Sequence, residues 1–139
     1  MTLRTIVDTG PLVAFFAKTD SYHKWAVEQF ANAAPPLLTC EAVLTETCFL
    51  VSSAGGNPND VLDFAERGAL KLAFSLEAEL EPVRRLMTRY RDIGISLADA
   101  CLVRMSEIHA QCQVMTIDRD FLIYRRDGRR TIPLIAPFE

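Results

Sequence analysis

"TIVDTGPLVAFF", residues 5–16, sets one carboxylate, Asp8, inside an otherwise apolar run. Arg4 to Val7 reads as a short strand that ends at Asp8-Thr9-Gly10. Pro11 then fits the first turn of a helix, where an N–H has no intrahelical partner in any case. A strand handing over directly to a helix is the opening of an α/β pattern. An acid at that junction has two explanations. It caps the helix, or it belongs to a chemical site, because ionised carboxylates are almost never fully buried unless paired or holding a metal. Taken alone, Asp8 divides about evenly between the two.

The alternation continues outward from this stretch. Ser21 opens a second helix, with Trp25, Ala26 and Phe30 at helical spacing. After Pro35-Pro36, Leu37 to Thr39 reads as a strand and Glu41 to Ser53 as a helix. Asn57 caps, and Pro58 starts, the next helix. Leu70 to Phe74 is a third strand, after which Ser75 caps a charged helix to Arg91, bent at Pro82. Ser96 opens a helix running to Cys112, followed by strands at Val114 to Ile117 and Ile132 to Ile135. This order predicts one α/β domain over residues 1–139, with a central parallel sheet of about five strands and helices on both faces. Sites in such sheets form beyond the C-terminal strand ends, where the strand order reverses. Asp8 and Asp118 both fall at such ends.

Composition narrows the classes. A chain of 139 residues with 50% hydrophobic and 24% charged side chains can bury a substantial single core. No apolar run reaches the roughly 18 residues that span a bilayer, and the N-terminal apolar stretch is broken by Asp8, so the expectation is a cytoplasmic protein without a membrane segment. Cys40, Cys48, Cys101 and Cys112 lack C-x-x-C spacing and sit in apolar segments, which favours buried free thiols. A net charge of −3 argues against a nucleic-acid partner, but arginine supplies twelve of the fifteen basic residues. Arginine is the side chain best shaped for bidentate phosphate contacts. Arg84, Arg85, Arg89 and Arg91 form one cluster, and Arg119, Arg125, Arg126, Arg129 and Arg130 a second. By themselves such clusters read as solvated faces.

Four acids resist ordinary explanations: Asp8, Glu46 in "AVLTETCFLV", Asp99 in "ISLADACLVRM" and Asp118 after "VMTI". Asp99 completes a capping-box spacing with Ser96, and Asp118 suits a turn. Glu46 is the hardest to excuse, flanked by Val43, Leu44, Phe49 and Leu50 with no basic residue within a turn or two. In a parallel sheet the first and fourth strand ends are neighbours, and the start of the Ser96 helix lies beside both. Carboxylates crowded there repel one another unless protonated or bound to a cation. Oxygen-only ligation suits Mg²⁺ or Mn²⁺, which activate water and stabilise charge on a phosphate. Metal-assisted phosphodiester hydrolysis therefore accounts for both the acids and the arginines.

In these motifs the chain resembles the PIN-domain ribonucleases, and among them the VapC-type toxins of bacterial toxin–antitoxin pairs. "IVDTGPLVAFF", "VLTETCFLV", "SLADACLV" and "VMTIDRDF" match the family's motifs in order, across essentially the whole chain. The resemblance implies a PIN-like three-layer fold and catalytic, metal-binding roles for Asp8, Glu46, Asp99 and Asp118, with Asp120 assisting. It sets Thr9 and Thr116 beside the site as hydroxyl-bearing neighbours. It also implies Mg²⁺ or Mn²⁺ as cofactor, RNA as substrate, a cognate antitoxin as partner and a homodimer. Arg119, Arg125 and Arg126 are the candidate RNA contacts. The alternatives within the family are an RNA-processing nuclease that is no toxin, and an RNA-binding module that does not cleave. The intact quartet speaks against the latter. An aspartic protease also carries Asp-Thr-Gly, but needs an all-β chain. A receiver domain or aspartate-dependent phosphatase needs a late lysine, and Lys18, Lys24 and Lys71 all come too early.

Overall fold

A computed structural model describes residues 3–138. In chain order its strands are β1 (Arg4–Val7), β2 (Leu37–Thr39), β3 (Leu70–Leu72), β4 (Cys112–Met115), the two strands of a small hairpin, β5 (Arg125–Arg126) and β6 (Arg130–Thr131), and finally β7 (Leu134–Ile135). Five of them form one parallel sheet in the order β3-β2-β1-β4-β7. Its middle strands are apolar on both faces: Ile6, Val7, Leu38, Val114 and Met115 are fully buried. That is the pattern of a parallel sheet covered on both sides.

Helices α1 (Thr9–Phe16) and α2 (His23–Asn32) join β1 to β2, and α3 (Glu41–Ser53) and α4 (Pro58–Glu66) join β2 to β3. The chain then crosses back through α5 (Leu80–Arg89) and α6 (Leu97–Ile108) to β4. Right-handed crossovers that run first one way and then the other place helices on opposite faces of the sheet. Accordingly α1 packs on α2 and α3, α3 packs on α4, and α5 packs on α6. The result is the expected three-layer α/β fold. Strand order reverses between β1 and β4, so the crevice for a site opens beyond Val7 and Met115, which are register partners.

Several boundaries differ from the sequence expectation. The second helix starts at His23, because Asp20 Oδ1 accepts the Tyr22 N–H at 2.8 Å and closes a turn around Ser21. Ser75 Oγ accepts the Ala78 N–H at 3.2 Å, but that too is a turn. The helix proper begins at Leu80, so Pro82 falls in its first turn and bends nothing. α6 ends at Ile108, and Cys112 begins β4 instead of closing the helix. The third strand stops at Leu72, before Phe74. The four cysteines are free thiols, with Cys40, Cys101 and Cys112 buried. Among the described residues no helix is long and apolar enough to cross a membrane.

Candidate active site

Asp8 continues β1 one residue past its last ladder pair, and its N–H donates to the Met115 carbonyl at 3.0 Å. This register sets Asp8 opposite Thr116, whose hydroxyl donates to Asp8 Oδ2 at 2.7 Å. The Thr9 N–H donates to Oδ1, also at 2.7 Å, so Asp8 is the N-cap of α1. The same side chain caps a helix and faces the crevice. It is 6% exposed. Burial, assisted by the negative charges of Asp99 and Asp118, raises its pKa to about 7 against the two hydrogen bonds.

Thr116 links the two strand ends. Besides donating to Asp8, its hydroxyl oxygen accepts the Asp118 N–H at 2.9 Å. Asp118 in turn caps the 3-10 turn Arg119–Leu122, its Oδ1 accepting the Asp120 N–H at 2.8 Å. Burial and the charge of Asp118 push the Asp120 carboxyl up.

The remaining acids arrive on helices. Asp99 stands in the first turn of α6, where Ser96 Oγ accepts its N–H at 3.0 Å, as the capping spacing predicts. Its Oδ2 accepts the Tyr124 hydroxyl at 3.0 Å. Burial comes first, and the charges of Asp118 and Glu46 add to it, in lifting the Asp99 pKa to about 6. Glu46 Oε1 accepts the Thr9 hydroxyl at 3.0 Å. Its surroundings correct the sequence reading, because the apolar residues flanking it are not all core. Glu46 itself is exposed, and on the same helix Phe49 is 70% and Leu50 42% exposed.

Asp8, Glu46, Asp99, Asp118 and Asp120 line one open cavity of about 480 Å³, together with Thr9 and Ser96; no basic residue lines it. Among the described residues, no three His, Cys, Asp or Glu side chains are gathered tightly enough to grip a metal ion directly. The acids surround a space, and what they share is an all-oxygen donor set with unspent lone pairs and mutual repulsion.

The arginines divide. Arg119 is exposed, with its guanidinium 4.7 Å from the Phe138 ring centroid. Arg125 Nη1 donates to the carbonyls of Leu122, Ile123 and Tyr124 at 2.8–3.2 Å. Arg126 is a different residue from the one expected. It is 6% exposed, and its Nη2 donates to the carbonyls of Ser106, His109 and Ala110 at 2.5, 3.2 and 3.2 Å. It satisfies the orphan carbonyls at the end of α6, and that placement withdraws it from any phosphate.

Tyr124 is the residue that sequence reasoning missed. Fully buried, it packs edge-to-face on Tyr90 and Phe121 with centroids 5.0 and 5.1 Å away. The signal available was general: a buried tyrosine hydroxyl needs a partner, and an unexcused acid was on offer.

An open α/β crevice ringed by acids thus lies at the strand switch point of this chain. The PIN domain profile matches residues 5–127, and the chain belongs to the PIN domain family. One relative is Ribonuclease VapC26 of Mycobacterium tuberculosis (strain ATCC 25618 / H37Rv), 30% identical over 116 residues that cover 82% of this chain and 86% of that protein.

Proposed function

We propose that this protein is a divalent-metal-dependent endoribonuclease and the toxin of a toxin–antitoxin pair, using Mg²⁺ or Mn²⁺ to hydrolyse RNA phosphodiesters. One observation carries the reading: five carboxylates and no cation line the cavity at the strand switch point, in a chain of the PIN family. Uncompensated acids in such a place are costly unless something positive joins them. The name of the M. tuberculosis relative supports RNA as substrate and a VapC-type role.

The donor set fits a hard cation held partly through its own water, because Mg²⁺ keeps several waters and binds through a few carboxylates. Asp8, Glu46, Asp99 and Asp118 would hold it, with Asp120 at the margin. When bound, such an ion activates water and neutralises charge on a phosphate. The chain's own residues do the positioning. Thr116 fixes Asp8 and the backbone of Asp118 together, Thr9 orients Glu46, and Tyr124 orients Asp99. Apo Asp8 and Asp99, with pKa values near 7 and 6, release protons when a cation binds near neutral pH.

The test is cleavage of a structured RNA by the intact chain. Excess chelator should abolish it, and Mg²⁺ or Mn²⁺ should restore it. Undiminished cleavage in chelator refutes the metal-dependent reading.

A further inference from the structure

Arg126 is a buried cation without a counter-ion. It is 6% exposed, and among the described residues no carboxylate pairs with it. Its buried Nε has no hydrogen-bond partner. A charge held this way costs stability that an apolar side chain of similar volume would not. What it gains is the end of α6. Nη2 donates to the carbonyls of Ser106, His109 and Ala110, at and just beyond the last turn. A helix leaves acceptors without partners there, and its dipole favours a cation.

The same stretch of chain holds the other end of that helix. Two residues before Arg126, the Tyr124 hydroxyl donates to Asp99, in the first turn of α6, at 3.0 Å. Tyr124 is tied to the remaining acids as well. Its N–H donates to the Asp120 carbonyl at 3.2 Å, in the 3-10 turn that Asp118 caps. Residues 124–126 thus bridge two acid-bearing elements. β5 is only two residues long and lies outside the main sheet, so its ladder is a weak anchor. Other ties hold the segment: the Arg125 N–H donates to the Tyr90 hydroxyl at 2.9 Å, and the Asp127 N–H to Glu107 Oε2 at 2.8 Å. Of these anchors, the bond from Arg126 to Ser106 is the buried one.

We infer that Arg126 is a positioning residue for the acid site. By gripping the end of α6 it holds the Tyr124 hydroxyl on Asp99, and so sets Asp99 against Asp118 and Asp120. This rests on the cation-site reading and extends it to a side chain that does not line the cavity. Groups that orient metal-binding side chains are commonly worth about 10–100-fold in affinity.

Mn²⁺ affinity is measured by calorimetry on the full chain without RNA, and apo stability by urea melts in chelator. Tyr124→Phe should weaken Mn²⁺ binding about tenfold. Arg126→Met keeps the bulk, removes the cation and should weaken binding by a similar factor. The double variant should also lose about tenfold, whereas independent effects would multiply to about a hundredfold. Arg126→Lys keeps a cation near the carbonyls and should recover part of the loss. In chelator, Tyr124→Phe should shift the urea midpoint less in the Arg126→Met background than in wild type. If Arg126→Met does not fold, Arg126→Lys takes its place in both cycles. Val61→Ala, in the buried face of α4 against α3 and β3, supplies a protein of lowered stability whose Mn²⁺ affinity should not move. The inference is overturned by an Arg126 variant that melts earlier yet binds Mn²⁺ as wild type does. Losses that multiply with those of Tyr124→Phe overturn it too, as does an equal loss in Val61→Ala. If wild type binds no Mn²⁺, the cation reading fails and the chelator cycle decides, equal midpoint shifts in both backgrounds counting against Arg126. If Mn²⁺ binds with this coupling and no RNA is cleaved, the nuclease reading fails and the role of Arg126 stands.

Discussion

Asp8 and Glu46 face the same cavity from opposite physical situations. Asp8 leaves the end of a central strand, 6% exposed, its oxygens taken by the Thr9 N–H and the Thr116 hydroxyl. Glu46 projects from the middle of a helix, exposed to water, and accepts the Thr9 hydroxyl. The buried acid has its ionisation displaced to about pH 7, while water solvates the exposed one. Their shared neighbour Thr9 shows what the arrangement achieves. Its N–H fixes the buried acid and its hydroxyl fixes the exposed one, so one residue sets the spacing of two acids from different elements. The cost of burial and crowded charge therefore falls on Asp8 at the strand end and on Asp99 in the first turn of α6, while Glu46 stays in water.

The largest expected effect is at Asp8. In Asp8→Asn, cleavage should fall by orders of magnitude, because the carboxylate sits at the centre of the proposed cation site. Its effect on the apo protein depends on pH. A carboxyl whose folded pKa is raised favours the folded state most while it is protonated. That contribution is fully present below the unfolded value near 3.8 and is lost as pH rises through about 7. In chelator, wild-type stability should therefore decline relative to Asp8→Asn between about pH 4 and 7. The difference should be on the order of a few kcal/mol. Urea melts of both proteins at pH 4, 5.5 and 7 measure it. Parallel curves for the two would mean that Asp8 is not a strained buried acid. Saturating Mn²⁺ should restore wild-type stability at pH 7, by about 2.7 kcal/mol at one hundred times the Kd, and should do much less for the variant.

Asp99 lies between the two extremes, half-buried and hydrogen-bonded by Tyr124. Tyr124→Phe keeps the ring packed between Tyr90 and Phe121 and removes only the donor. Stability should fall by about 1.5–3 kcal/mol, the usual value of a hydrogen bond to a charged group, and cleavage should weaken through a less constrained Asp99. Denaturant midpoints and single-turnover rates test this. A loss well beyond that range would show that the aromatic cluster itself had rearranged.

The parts of this design that were legible in the sequence are those carried by chain-local patterns. Apolar runs of three or four residues leading to Asp8 or to Asp118 announced strands, and the strand–helix alternation then dictated a parallel sheet with helices on both faces and a crevice at the switch point. Ser96 and Asn57 cap where their spacing said they would. What sequence could not carry was the partner chosen across the fold. Arg126 looks like any other arginine of its cluster until α6 is seen to end beside it. Glu46 looked buried because a helix of apolar residues does not disclose which of them remain in water. The end of α5 and the β5–β6 hairpin, far apart in the chain, are joined by the Arg89 guanidinium donating to the Gly128 carbonyl and the Arg125 N–H donating to the Tyr90 hydroxyl, neither of which a local pattern announces.

The smallest stability effect is expected at Glu46, and it separates the two kinds of acid most cleanly. In Glu46→Gln the amide oxygen still accepts the Thr9 hydroxyl, and the side chain remains solvated. Apo stability should therefore change by no more than about 0.5 kcal/mol, the range for exposed substitutions away from special features. Function should respond differently, because the removed charge is one the proposed cation needs. Cleavage should drop steeply, and the Mn²⁺-induced rise in melting temperature should shrink. Melts in chelator and in Mn²⁺, set beside RNA cleavage rates, give all three readouts on one preparation. If Glu46→Gln unfolds more easily by several kcal/mol, the exposed acid is structural and the contrast with Asp8 collapses. If it keeps full activity and the full Mn²⁺ response, Glu46 stands outside the cation site, which would then be built from the acids at the strand ends and the first turn of α6.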